Sequence, residues 1–268
     1  MDQHNTPAAS APDADTPAAS APAASAPDAP ARSYGRAANQ MRPVKLTRDV
    51  MMNADGSCLA EFGNTRVMCT ATVEEGVPAW RKGSRAGWVT AEYAMLPAST
   101  STRTRREYKG RKGRSMEIER LVGRSLRAVC DMHRLGELTV TCDCDVIQAD
   151  GGTRTASITG AWVALHDALQ KWVDAGKIKR LPLTGQVAAI SMGKVADRLL
   201  LDLDYPEDSH AQVDLNLVCT GDGGIVEVQG TGERSTISRE ELDSLLDMGQ
   251  AGIQELIRLQ NQVTGFSD

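Results

Sequence analysis

Cysteine pairs, long apolar runs and an excess of positive charge are all missing from this 268-residue chain. Its six cysteines, Cys58, Cys69, Cys130, Cys142, Cys144 and Cys219, stand singly in apolar segments apart from one Cys-x-Cys. With no Cys-x-x-Cys pair and no histidine at ligand spacing, the pattern speaks against a zinc site. Cys142 and Cys144 share one strand face and read as core residues, and a reducing cytoplasm is the expected compartment. No run is long and apolar enough to cross a bilayer, so no membrane partner is expected. The formal charge of −5 does not mark the whole chain as a nucleic-acid binder. Any case for one rests on local clustering.

Residues 1–33 also lack apolar periodicity. They are almost wholly Ala, Pro, Ser, Asp and Thr, a composition that cannot bury enough surface to offset the entropy of ordering. A disordered tail is expected. It has no continuous apolar core of a signal peptide, and its aspartates and single arginine oppose a transit peptide. Residues 34–268 are expected to form a single domain around one core.

What is present begins with a change of period. From Leu138 to Gln148, apolar and polar residues alternate as in a strand. From Ile158 to Val173, Ile158, Ala161, Trp162, Leu165, Leu169, Trp172 and Val173 recur at helical spacing. Between them lies Asp150-Gly151-Gly152-Thr153-Arg154, at the start of a long helix. The first N–H groups of a helix lack internal partners and carry partial positive charge. Glycines let backbone approach a ligand, Thr153 adds a hydroxyl, and Arg154 adds a donor fork that fits phosphate oxygens. Two readings stand: an anion cradle, or a tight turn with Thr153 as N-cap and Arg154 solvated. The stretch is neither a Walker A loop nor a dinucleotide fingerprint.

Two charge clusters flank it in sequence. Arg103, Arg105, Arg106, Lys109, Arg111, Lys112 and Arg114 oppose only Glu107. They read as a basic arm for a phosphate backbone or as a solvated loop. Arg114 directly precedes Ser115, the expected N-cap of an amphipathic helix, which makes it a second candidate phosphate ligand. Later come Asp202, Asp204, Glu207, Asp208 and Asp214. A loop bringing Asp208 to Asp214 would make a Mg²⁺ site of two carboxylates; otherwise this is an acidic surface loop.

The other elements group as ββ and βα. Strands are expected at 58–62 and 65–73 around a tight Gly63-Asn64 turn, and at 87–97. Hairpins are expected at 186–193 with 198–204 and at 213–220 with 225–229. A final helix starts at the capping box Ser238-x-x-Glu241. The fold class is α+β, with mixed or antiparallel sheets packed with helices.

Taken together these motifs resemble the bacterial ribonuclease PH family, from about Arg36 to the last helix. The matching blocks are Gln40-x-Arg42-Pro43-Val44, Val73-Glu74-Glu75-Gly76-Val77-Pro78, Gly87 to Tyr93, Arg114-x-Met116-Glu117-Ile118, Asp143 to Gly160, and Glu207-Asp208-Ser209 with Asp214-x-Asn216. The resemblance implies a ribosomal protein S5 domain 2-like fold assembled as a homohexamer, a trimer of dimers. It implies a phosphorolytic 3′-to-5′ exoribonuclease that trims tRNA precursors beyond CCA and runs in reverse from nucleoside diphosphates. By position, Arg114, Gly152, Thr153 and Arg154 would hold inorganic phosphate. Asp208 and Asp214 would serve a divalent cation, Mg²⁺, and with Arg114 and Arg154 form the catalytic set. Arg103, Arg105 and Arg106 would meet tRNA. The chain departs from the family at Ala79 and Ala98, where basic residues are usual, and this bears on RNA grip. A catalytically silent, RNA-binding ring subunit is the alternative; the four charged site residues argue against it.

Overall fold

The central helix is apolar nearly all round, and the rest of the molecule is layered about it. In a computed structural model describing residues 1, 31–107, 110 and 113–266, helix α3 spans Thr153–Asp174. Trp162, Leu165 and Leu169 are fully buried, and so are Ala156, Ala161, Ala164 and Ala168. A helix buried on every side must have neighbours on every side. Small residues allow their close approach: a Cβ on Gly160 would sit 2.8 Å from both Ala60 and the Cys69 sulfur.

Five strands form one side: β1 (Val44–Arg48), β2 (Gly56–Phe62), β3 (Thr65–Glu75), β4 (Trp88–Met95) and β5 (Leu138–Gln148). Their order is β1-β2-β3-β5-β4, with β4 parallel to β5 and the other pairs antiparallel. Val140, Cys142, Cys144 and Val146 face inward, as the alternation predicts. The second sheet is wholly antiparallel, in the order β7-β6-β8-β9: β6 Val187–Val195, β7 Arg198–Leu201, β8 Val213–Thr220 and β9 Ile225–Gly232. Helix α3 packs on β2, β3 and β5 of the first sheet and on β6 of the second. Helix α1 (Gly113–Ala128) lies beside it on β4. Helix α5 (Arg239–Thr264) covers β6, β7 and β8. This is the expected α+β class with one mixed and one antiparallel sheet. Residues 31–268 form one compact unit, and among the described residues no helix is long and apolar enough to cross a membrane.

Local departures have identifiable causes. Helix α1 begins two residues before Ser115, so Ser115 is no N-cap; its hydroxyl donates to Glu107 Oε1 at 2.9 Å. Gly152, not Thr153, is the N-cap of α3, in the left-handed region at φ +66°. Strand β7 stops at Leu201, and the stretch read as strand and loop contains helix α4 (Tyr205–Ser209). The Asp204 carboxylate accepts from Glu207 N, and the Glu207 carboxylate accepts from Asp204 N, a reciprocal cap that starts the helix. The expected capping box at Ser238 and Glu241 is present. Two further short elements, β1 and α2 (Met132–Leu135), carried too few periodic residues to be read from sequence. Arg32 and Ser33, assigned to the tail by composition, are bonded into the folded unit. The rest of that tail lies outside the described residues apart from Met1 and Ala31.

Candidate functional site

The turn from β5 into α3 has no room for side chains. Gly151 and Gly152 both have positive φ, +76° and +66°, which glycine adopts without steric cost. A Cβ on Gly151 would lie 2.5 Å from the Leu203 carbonyl and 2.7 Å from the Asp204 carbonyl carbon. The turn is thus pressed against the segment that leads to Asp208. Asp150 caps this contact: its Oδ1 accepts from Tyr205 N at 3.4 Å. Thr153 and Arg154 then open the helix. The Thr153 hydroxyl is buried and lies 2.9 Å from the Tyr93 hydroxyl of β4.

Four of the sequence candidates converge here. Arg154 donates to Gln229 Oε1 at 2.7 Å and lies 3.7 Å from Glu117 Oε1, with a largely buried side chain. Arg114, in the first turn of α1, is exposed. Both arginines are close enough to act on Asp208, Asp214 and Tyr93. Burial raises Asp208 above the ordinary carboxylate value against the pull of Arg114 and Arg154. Burial, then repulsion from Asp208, pushes Asp214 up to about 6 despite those arginines. Burial likewise raises Tyr93, opposed by Thr153, Arg114 and Arg154. A carboxylate pair held half-buried and mutually repelling is a place where a cation relieves both charges. The other acids of that sequence cluster are otherwise engaged: Asp202, Asp204 and Glu207 take ion pairs from Arg36, and Asp202 and Glu207 also from Arg42 and Arg32 respectively.

Sequence reasoning missed three participants. Tyr93 lay inside a strand pattern, Gln229 at the end of a predicted hairpin, and Glu233 beyond it. Glu233 raises both Asp208 and Asp214 by repulsion. Tyr93 closed a family block without being singled out as a site residue, and its contact with Thr153 places it here; the second sheet's register places Gln229. Asp214 pairs with Thr231 across β8 and β9, two residues from Gln229 on that strand. Among the described residues there is no group of three or more His, Cys, Asp or Glu side chains fit to hold a metal. A cation there would need oxygen from water or a bound phosphate to complete its shell.

The basic run divides. Arg103, Arg105 and Arg106 are exposed, while Lys109, Arg111 and Lys112 lie outside the described residues. A cavity of about 490 Å³ is lined by Arg105, Arg106 and Arg114 together with Glu92, Asp143 and Asp145. Burial raises Asp145, against the pull of Arg106. This cavity does not contain Arg154, Asp208 or Asp214; it adjoins their cluster through Tyr93 and Arg114. The six cysteines are buried and free, as the core reading expects.

A family model described as the 3′ exoribonuclease family, domain 1, matches residues 40–169, and its domain 2 counterpart matches residues 185–252. The first span holds the five-stranded sheet, α1 and most of α3; the second holds the antiparallel sheet and the first half of α5. Among solved structures, rice (Oryza sativa) Rrp46 is 21% identical with a TM-score of 0.72, over 88% of this chain and 100% of that one. The Archaeoglobus fulgidus exosome with RNA bound to the active site gives 23% identity and a TM-score of 0.73, over 84% and 91%. An archaeal exosome core gives 22% and 0.67, over 85% and 89%. At these identities the likeness shows the fold.

Proposed function

Since the chain belongs to the 3′ exoribonuclease family, and since its two arginines and two carboxylates converge on a glycine turn, we propose that it is a phosphorolytic 3′-to-5′ exoribonuclease of the bacterial ribonuclease PH kind. The observation that carries this reading is the juxtaposition at the start of α3. Beside a positive-φ glycine turn and a helix N-terminus, Arg154 and Arg114 act on a pair of half-buried acids. Cations and N–H donors on one side hold an anion; acids on the other oppose it unless the two are bridged. That is the arrangement needed to bring two phosphates together, where positioning and charge neutralisation dominate catalysis.

In this mechanism inorganic phosphate sits on Gly152, Thr153, Arg154 and Arg114. The arginines lower the repulsion between it and the 3′-terminal phosphodiester and aim one phosphate oxygen at that phosphorus. The new P–O bond forms as the bond to the 3′-oxygen of the penultimate nucleotide breaks. A nucleoside 5′-diphosphate leaves, and the departing 3′-oxygen takes up the proton that the hydrogen phosphate gives up, becoming the new 3′-hydroxyl of the shortened RNA. One phosphate linkage replaces another, so the reverse reaction, extension by diphosphates, is accessible. Asp208 and Asp214 are hard oxygen ligands suited to Mg²⁺, which when bound would neutralise charge on the transferred phosphoryl group and the departing oxygen. Arg103, Arg105 and Arg106 supply a sequence-independent grip on the RNA backbone. We assign tRNA precursors as substrates, the folded unit that begins at Ala31 as the catalytic domain behind an N-terminal tail, a homohexamer (a trimer of dimers) as the assembly and the cytoplasm as the compartment. The motif resemblance supports these assignments.

Incubating the protein with a 3′-extended tRNA and Mg²⁺, with and without phosphate, tests the proposal. The expected result is phosphate-dependent release of nucleoside diphosphates, reduced about 10²- to 10³-fold in Arg154→Ala and in Asp214→Ala. Monophosphates released without phosphate would make the protein a hydrolase. RNA binding with no release would make it the silent ring subunit.

A further inference from the structure

One buried side chain ties the glycine turn to the segment that leads to Asp208. Arg42 is 2% exposed and Asp202 is 1% exposed. Arg42 Nε donates to Asp202 Oδ2 at 2.9 Å and Nη2 to Oδ1 at 2.7 Å, a two-pronged pair, while the Arg42 backbone N–H donates to Oδ2 at 2.8 Å. The remaining guanidinium donors go to the glycine turn: Nη1 to the Asp150 carbonyl and Nη2 to the Gly151 carbonyl at 3.4 Å. Thr65 donates to that same Gly151 carbonyl at 2.6 Å.

Fixing those two carbonyls fixes the amides that follow. In a trans peptide the C=O and the next N–H lie in one plane and point in opposite directions. Holding the Asp150 and Gly151 carbonyls toward Arg42 therefore aims the N–H groups of Gly151 and Gly152 away from it. A glycine pair would otherwise let these peptides rotate cheaply. On its other side Arg42 grips a residue that is itself unusual. Asp202 has φ +55°, a conformation non-glycine residues seldom adopt and one found where surrounding contacts over-determine the backbone. The Asp202 carbonyl accepts from Arg36 Nη1 at 2.7 Å and Arg32 Nη2 at 3.3 Å. Both arginines also hold the Glu207 carboxylate, next to Asp208. The contacts thus run unbroken from the Gly151–Gly152 turn through Arg42, Asp202, Arg36 and Glu207 to Asp208. Buried ion pairs are no general source of stability, because desolvation offsets their attraction. What a planar fork adds is direction.

We propose that Arg42 is a positioning residue: its fork on Asp202 and on the turn carbonyls aims the Gly151 and Gly152 amides at the phosphate and keeps that turn in register with the segment bearing Asp208. This rests on the phosphate reading of the turn. Ser191, buried at 4% exposure with an unpartnered hydroxyl, lines the same seam; a Cβ on Gly152 would fall 3.5 Å from its Oγ and 3.1 Å from Arg42 Nη2.

The test separates the fork from the charge. In the full-length protein, Arg42→Lys keeps the cation and removes the fork, and Asp202→Asn keeps the shape and removes the counter-charge. Arg48→Lys is the control, since Arg48 makes an equally two-pronged pair with Asp167 away from the turn. KM for phosphate, KM for RNA and kcat are measured beside the melting temperature. In folded Arg42→Lys, KM for phosphate is expected to rise about tenfold or more while KM for RNA stays unchanged, because small misplacements of a positioned group cost that much. Arg48→Lys is expected to change neither. A folded Arg42→Lys with unaltered KM for phosphate overturns the proposal, as does an equal rise in both KM values. If neither Arg42→Lys nor Asp202→Asn folds, the wild-type amide spectrum decides. Titrated with inorganic phosphate, the Gly151 and Gly152 amide protons must move among the most in the chain, and silence there overturns the proposal. Wild-type protein that neither binds nor uses phosphate refutes the underlying function and takes the brace with it; wild-type activity with a normal folded Arg42→Lys refutes the brace alone.

Discussion

Two groups of arginines occupy this molecule and are used in opposite ways. Arg32, Arg36 and Arg42 lie within eleven residues at the start of the folded unit, are nearly inaccessible, and are bonded to acids some 160 to 175 residues away. Arg103, Arg105 and Arg106 crowd a few positions and are exposed. Burial lowers Arg36, with help from the neighbouring Arg32, whereas in Arg42 the bonds from Asp202 outweigh burial and leave its pKa raised. The buried group is committed to the protein's own carboxylates and carbonyls, so it sets geometry. In the exposed group, Arg105 and Arg106 line a cavity and Arg103 lies on the surface. A run of positive charge here marks a surface, while the buried arginines show their role only through their partners in the fold.

Breaking the buried group gives the largest effect. Asp202→Ala leaves Arg42 and Arg36 without their shared counter-charge, and removing one partner of such a pair costs about 3–5 kcal/mol. Urea unfolding should show the loss as a lower midpoint at unchanged slope. Breaking the exposed group should barely move stability. Replacing Arg103, Arg105 and Arg106 together by Ala is expected to change unfolding by less than about 0.5 kcal/mol each. It should weaken RNA binding and flatten its salt dependence, by about 0.7 in log–log slope for each lost contact to a single strand. A large stability loss in that variant, or an unchanged salt slope, would erase the contrast between the groups.

The smallest effect sharpens the contrast from the acidic side. Asp214 in metal-free protein should titrate near 6. Its folded value lies above the ordinary 3.8, so the fold favours the protonated form. That contribution to stability is complete below the ordinary value and is lost as pH rises through about 6. Carboxyl chemical shifts followed against pH, then repeated with Mg²⁺, should show the titration move down when the cation binds. An Asp214 midpoint near 4 without metal would mean the pair is not held as described.

Much of the framework was legible in sequence because it rests on local periodicity. The strand from Leu138 to Gln148 has the expected bounds, and the stripe from Ile158 to Val173 lies on α3. The Ser238 capping box starts α5 as read. Helix α4 was missed although its signal was present: Asp204 and Glu207 are spaced as a capping box, with Pro206 in the first turn. In a run of acids that spacing reads as charge. For the site, Arg114, Arg154, Asp208 and Asp214 could be named from residue type and position. Tyr93 and Arg42 fell in family blocks, but their roles depend on contacts between segments 60 or more residues apart, which no local pattern records. The start of α1 was misplaced because Ser115 bonds to Glu107 in place of capping the helix.

Product analysis with ¹⁸O-labelled inorganic phosphate tests the central claim most directly, in a reaction holding the protein, a 3′-extended tRNA and Mg²⁺. The account predicts nucleoside diphosphates whose terminal phosphoryl group carries the label, since the attacking group is phosphate itself. Unlabelled monophosphates, with their new oxygen drawn from water, would contradict it.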